Sequence, residues 1–265
     1  MRGRIVSHQT LVRMSEPLPQ IVGRKPVKEA LERGDVPIEK VFALQGGRGL
    51  EDVVGAARAA GVPVQFVPMQ RIDAMARGLT HQGVVALGSA VEYLDLHEML
   101  DLVAPDYDAV LEKAPILVVF DGLEDPHNVG AVLRSAVAAG AAGAVVPARG
   151  MAPIGATAMK ASAGLAPRIP TARVNSLVVA LEAIKERGYA VVGAAGEDDA
   201  VGHTAFDWTQ PVALVIGSEG SGLSKPTRKA CDALVRIPMP GPAESLNASV
   251  AAGILLFEAV RQRKS

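Results

Sequence analysis

From about residue 20 onward, short apolar runs alternate with longer stretches in which apolar residues recur every three or four positions. The runs predict strands and the stretches predict helices, because a strand repeats its faces every two residues and a helix every 3.6. In 20–92 the predicted strands are 41–44, 64–67 and 83–87, and the predicted helices start near Pro26, Leu50 and Arg71. Proline tolerates the first helical position and glycine the left-handed cap, so Pro26 opens a helix that Gly34 closes, and Gly61 ends the next. This reads as a small, compact α/β domain. Residues 93–115 are acidic and Leu-bearing, contain Pro105 and Pro115 and show no strand run, so they read as a linker, helical in part.

Beyond the linker, apolar runs at 116–120, 144–146, 168–174, 190–192, 212–216 and 234–237 are separated by helical patterns. Strands that alternate with helices at this spacing predict an α/β domain over 116–265, with a mostly parallel sheet and helices on both faces. Ligands are expected in the loops at the carboxyl ends of those strands. Residues 1–19 show no period and read as a flexible extension, within which Met14 is a second candidate start.

Charge and composition narrow the partners. The 27 basic and 28 acidic residues give a net charge of -1, which excludes a polycation that binds nucleic acid through bulk charge and leaves only a local patch for such contact. Aromatics make up 3% of the chain, too few for a platform of stacked rings. The single cysteine, Cys231, excludes an internal disulfide, and no Cys/His spacing suggests a metal. The longest run of small apolar residues, 136–148, is shorter than the ~18 that a membrane span requires, and the amino terminus has no apolar signal core. A soluble cytoplasmic protein with no metal and no membrane partner is expected.

Three segments can carry chemistry. In the first, Asp125 caps and Pro126 opens a helix whose positions 129, 132, 133, 136 and 137 form the buried face. That leaves Asn128 in the first turn, and Gly130 with Arg134 on a face with room for close approach. In the second, a buried strand runs into Gly217-Ser218-Glu219-Gly220-Ser221-Gly222. The spacing fits neither G-x-G-x-x-G nor the P-loop, and Glu219 would repel a phosphate, so a cationic or hydroxyl-bearing ligand is favoured. In the third, Ile237-Pro238-Met239-Pro240-Gly241-Pro242 is an irregular loop that leads through Ser245, Leu246, Asn247 and Ser249 into a helix apolar on nearly all sides. Such a helix is buried in the core or against a second subunit. Taken singly, each segment has a plainer reading: an ion-paired Arg and a capping Asn, a glycine turn, and a set of helix caps.

Together, in this order, the segments resemble the three motifs of the SpoU branch of the SPOUT RNA 2′-O-ribose methyltransferases. Asp125-Pro126-His127-Asn128-Val129-Gly130 with Arg134 resembles the first motif, Ile216 to Gly220 with Gly222-Leu223 the second, and 237–239 with 245–249 the third. The nearest group is the bacterial 23S rRNA guanosine 2′-O-methyltransferases, whose small ribosomal-protein-like domain is resembled by 23–31 and by Thr80-His81-Gln82-Gly83-Val84-Val85-Ala86.

The resemblance implies S-adenosylmethionine as cofactor, 23S rRNA as partner, a homodimer and a deep trefoil knot. It implies that Gly217, Ile237 and Leu246 hold the cofactor, and that the family's catalytic roles fall on Asn128, Arg134, Glu219, Ser245 and Asn247. Arg24, Lys25 and Lys28 are the candidate RNA contacts, with an ordinary solvated face as the alternative. Methylation of another rRNA adenosine or of tRNA, and a non-catalytic RNA-binding protein on the same scaffold, stay open. A dinucleotide oxidoreductase lacks its glycine fingerprint.

Overall fold

The computed structural model describes residues 20–34, 36–196, 200–242 and 245–264; the expected extension, and the Met14 start within it, lie outside them. The chain forms two sheets. The first is built from β1 (Gln20–Val22), α1 (Arg24–Arg33), β2 (Ile38–Leu44), α2 (Glu51–Ala59), β3 (Val64–Val67), α3 (Met69–Ala76) and β4 (Val84–Gly88). Its strand order is β1-β4-β2-β3, with β2 and β3 parallel and the other pairs antiparallel. As the glycine signal predicts, α1 ends on Gly34 in the left-handed region at φ 63°. Val27, Leu31, Val41, Val53 and Val84 close the core between α1, α2 and the sheet.

The second sheet takes in β5 (Tyr93–Leu94), β6 (Ile116–Asp121), β7 (Gly143–Pro147), β8 (Thr171–Val174), β9 (Ala190–Ala194), β10 (Val201–Gly202), β11 (Val212–Gly217) and β12 (Ala233–Arg236). Its order is β10-β12-β9-β11-β6-β7-β8-β5, and every pair is parallel. Both faces are covered, and the alternation along each strand shows it. Ile116, Val118 and Phe120 enter one core with α6 (Pro126–Ala138) and α10 (Ala248–Arg263), while Leu117 and Val119 enter the other with α4 (Leu96–Val103), α5 (Tyr107–Lys113) and α8 (Leu177–Glu186). Two shorter helices, α7 (Ala156–Ala161) and α9 (Lys225–Ala230), complete the domain.

The stretch expected as a linker is folded. Tyr93–Leu94 pairs with β8 at the sheet edge, and Met99, Leu100 and Val110 are buried in the second core. Two of the acidic residues that suggested a linker, Asp95 and Asp106, are helix caps. The Asp95 carboxylate accepts from the His97 amide within a capping box, and Asp106 accepts from Ala109. The strand expected over 168–174 begins only at Thr171, because Ala166–Arg168, with Pro167 inside it, forms a 3-10 turn.

Candidate active site

Three loops meet at the carboxyl ends of β6, β11 and β12. In the pairing of β6 and β11, Asp121 stands beside Gly217, so the first two loops leave the sheet as neighbours. Asp121 then ties them together, its Oδ2 accepting from the Ser224 amide at 2.7 Å. Nothing in the sequence beyond a polar residue closing a buried strand marks this role.

The first loop delivers Asn128. Asp125 caps α6 by accepting from the His127 amide at 2.8 Å, with Pro126 at the first position, so Asn128 lies in the opening turn as expected. The second loop folds back on itself, Ser218 and Gly222 exchanging two backbone hydrogen bonds of 3.0 Å. A Cβ on Gly217 would lie 2.3 Å from the Gly222 carbonyl carbon, so a side chain there is excluded by the loop's own closure. This presents Glu219 at the exposed tip. The third loop delivers Asn247, whose Oδ1 caps α10 by accepting from the Ser249 and Val250 amides.

These side chains are bonded in series. Asn247 Nδ2 donates to Asn128 Oδ1 at 3.0 Å, and Asn128 Nδ2 donates to Glu219 Oε1. Both ends of the Asn128 amide are therefore used, which fixes its orientation. The series runs from the first turn of α10 to a carboxylate, with each donor aimed toward the negative end, an arrangement in which hydrogen bonds polarise one another.

Other expected residues lie apart from this series. Arg134 is exposed on α6 and makes no hydrogen bond or ion pair with any described residue. It is six positions past Asn128, about 9 Å along the axis and ~120° around it, so the two side chains leave different faces. The expectation that Gly130 leaves room for a ligand is corrected: a Cβ there would meet the Ala158 carbonyl oxygen at 2.3 Å and Ala161 Cβ at 2.6 Å, so the glycine is filled by α7. Ser245 is exposed, and Ile237 and Leu246 are half-buried.

Of the candidate RNA contacts, Arg24 is committed elsewhere. Its Nε donates to Gln82 O at 2.9 Å and its Nη2 to Arg48 O at 2.7 Å, clamping two loops of the first domain. Lys28 lies 3.5 Å from Asp52 and 3.8 Å from Glu32, whereas Lys25 has only Glu29 at 4.0 Å and is 87% exposed. Burial pushes the Cys231 thiol up to about 11, which removes it as a nucleophile near neutral pH.

A parallel α/β sheet with three strand-end loops bonded into one site defines a ligand-binding enzyme domain, here preceded by a second α/β domain. Comparison with known proteins identifies the class. Residues 115–257 match the model of the SpoU rRNA Methylase family, and residues 20–94 match the RNA 2′-O ribose methyltransferase substrate binding domain. The 23S rRNA (guanosine-2′-O-)-methyltransferase RlmB of Xylella fastidiosa is 42% identical over 92% of this chain and 96% of its own. The putative TrmH family tRNA/rRNA methyltransferase YacO of Bacillus subtilis is 40% identical over 94% and 98%. The structure of the SpoU methyltransferase AviRb from Streptomyces viridochromogenes in complex with AdoMet superposes with a TM-score of 0.57, at 28% identity, over 92% of this chain and 90% of that one. The chain belongs to the SpoU rRNA methylase family. It is an RNA 2′-O-ribose methyltransferase whose cofactor is S-adenosylmethionine.

The residues present fit that cofactor. Met239, Gly241, Ser245 and Leu246 make no backbone hydrogen bond with any described residue, so their amides and carbonyls are available to a ligand's polar edge. Ile237 is half-buried against the core and offers apolar surface beside them. The carboxylate of Glu219 supplies the sign that suits a sulfonium.

Proposed function

We propose that this protein transfers a methyl group from S-adenosylmethionine to the ribose 2′-hydroxyl of a guanosine in 23S rRNA. The observation that carries the reading is the hydrogen-bonded series of Glu219, Asn128 and Asn247, which joins one residue from each of the three motifs. The guanosine assignment is supported by RlmB of Xylella fastidiosa, which matches along nearly its whole length, first domain included. Its action on rRNA would put the protein in the cytoplasm; no helix among the described residues is long and apolar enough to cross a membrane.

The cofactor, when bound, supplies an electrophilic methyl group. Gly217, Ile237 and Leu246 would hold it through backbone and apolar contacts, and Ser245 with Asn247 would keep the third loop in shape. Asn128 and Glu219 position the ribose, since an in-line displacement depends chiefly on alignment. Arg134, exposed on a different face of α6, would reach the ribose from a second copy of the chain, where it stabilises charge that grows on the 2′-oxygen or anchors the adjacent phosphate, because a guanidinium with a pKa above ~12 is no proton acceptor; the proton leaves through water or a neighbour. An Arg134→Lys variant is expected to lose roughly tenfold or more in methyl transfer, and near-normal turnover would refute a need for the planar fork.

Lys25, the most exposed of the three cations, makes the first domain's RNA contact, while Arg24 shapes the loops around it. Val250, Ile254 and Phe257 lie exposed at successive turns of α10, 50%, 37% and 51% open, and this apolar stripe supports the homodimer. The trefoil knot that the family resemblance implies belongs to the same reading. Mapping ribose methylation across 23S rRNA and tRNA in cells with and without the gene tests the whole reading. Loss of one 23S guanosine methyl is the expected result; loss at an rRNA adenosine, loss in tRNA, or no loss at all overturns it.

A further inference from the structure

The two domains are pinned together at the segment that joins them. The Ser89 amide donates to Pro37 O at 2.7 Å on the first domain, and the Ala90 amide donates to Ile154 O at 3.1 Å on the second. Ala90 and Val91 are buried in the second domain's core. A free tether would leave these groups to water.

Next to this segment lies a buried cluster drawn from both domains. The register of β2 against β4 shifts between Ile38 and Lys40, leaving Glu39 at a bulge. A bulge re-aims its side chain, and Ile38 and Glu39 are both buried although they are consecutive. Glu39 meets Arg173 of β8, whose Nη2 donates to Glu39 Oε2 at 3.0 Å while Nη1 donates to Ile38 O at 3.3 Å. The two side chains are 12% and 8% exposed. Tyr93, on the strand that joins the domains, completes the cluster: its hydroxyl donates to the same Glu39 oxygen, and the Arg173 guanidinium lies 3.4 Å from the centre of its ring. Burial and then the Glu39 charge push the Tyr93 hydroxyl above the ordinary tyrosine range, so it stays a donor.

A buried ion pair contributes little net stability compared with apolar side chains of the same volume, but it does demand one geometry. Arginine presents a flat fork that matches a carboxylate and a carbonyl at once, and its face stacks on an aromatic ring, so a shift of either domain breaks several contacts together. We infer that Glu39, Tyr93 and Arg173 are positioning residues for methyl transfer, a latch that holds the RNA-gripping domain at one distance and angle from Glu219, Asn128 and Asn247. The latch thereby sets which nucleotide of a bound RNA reaches the site. This inference rests on the RNA methylation reading above.

The test uses the full chain with spin labels at two exposed positions, Glu32→Cys and Val179→Cys in a Cys231→Ser background, and pulsed electron paramagnetic resonance to read the distance between domains. Arg173→Met is expected to turn one narrow distance into a broad distribution. It should also raise the KM for 23S rRNA roughly tenfold and spread methyl groups to other nucleotides, with S-adenosylmethionine affinity unchanged within about twofold. Tyr93→Phe, which removes only the hydroxyl bond, should move the same readouts in the same direction by less, and it serves if Arg173→Met does not fold. A narrow wild-type distance in a folded variant, with unchanged KM and unchanged site choice, overturns the latch. If the unaltered enzyme methylates no rRNA, the RNA reading fails by itself, and the distance distributions still decide whether the latch exists.

Discussion

Replacing Asn128 by alanine removes the middle link of the series between Glu219 and Asn247 and nothing else of size. The lost bond to the Glu219 carboxylate is worth roughly 1.5–3 kcal/mol and the lost bond from Asn247 roughly 0.5–1.5 kcal/mol in buried settings. Glu219 and Asn247 are exposed, so water replaces much of both, and about 1–2 kcal/mol of stability is expected to disappear. For a chain of this size that is a fall of roughly 2–8 °C in melting temperature. Methyl transfer should fall much further, about a hundredfold, because misplacement by about 1 Å is enough for that loss. The assay is single-turnover transfer of a labelled methyl group to 23S rRNA, paired with thermal melting, for Asn128→Ala, Glu219→Ala and the double variant. If the three side chains act as a unit, the double variant is little slower than either single one. A rate within about threefold of wild type for Asn128→Ala, or two fully additive losses, would refute the claim that this bonded series positions the reacting groups.

Three further outcomes follow from the same structure. Gly130→Ala adds a good helix former to α6 yet should destabilise the protein by roughly 1–3 kcal/mol in chemical denaturation, because its Cβ meets the α7 backbone at Ala158. The hydrogen bonds from Arg261 and then Gln262 hold the Glu258 carboxyl down at about 2, below its ordinary 4.5. A depressed carboxyl stabilises fully above 4.5 and loses that contribution as the pH falls toward 2, so Glu258→Gln should flatten the stability profile within that window and leave its shape above it unchanged. Phe257→Asp places a charge in the exposed stripe of α10 and tests the proposed homodimer: the variant is expected to sediment as a monomer, and a dimer that persists refutes this stripe as the interface.

The parts of the fold that were legible in the sequence are those where burial on both faces leaves few alternatives. The run 116–120 had to be a buried strand because five consecutive apolar residues cannot all be covered from one side, and in the structure they divide between two cores. The helix start at Asp125-Pro126 was legible because cap and proline act locally. The two-residue strands β5 and β10 carry no period to detect, and their pairing is decided by partners far along the chain. The same limit explains why 93–115 looked like a linker: Asp95 and Asp106 are caps, and only the packed helices reveal this.

Site chemistry follows the same division between local and distant causes. Asn128, Glu219 and Asn247 could be named from their motifs, but the bonds between them span 91 and 119 residues, which no local pattern encodes. Arg24 was a reasonable RNA contact for a first-turn arginine, yet its donors go to main-chain carbonyls 24 and 58 residues away. Carbonyls have no sequence signature, so an arginine that clamps loops is indistinguishable in sequence from one that waits for phosphate. Arg134 poses the opposite problem. It keeps an exposed guanidinium with no partner among the described residues, on a helix whose inner face is filled by Val129, Val132, Leu133 and Ala136. A flexible, exposed arginine on a surface helix costs little to keep there, and its lack of a partner among the described residues leaves its guanidinium open to the proposed contact with RNA.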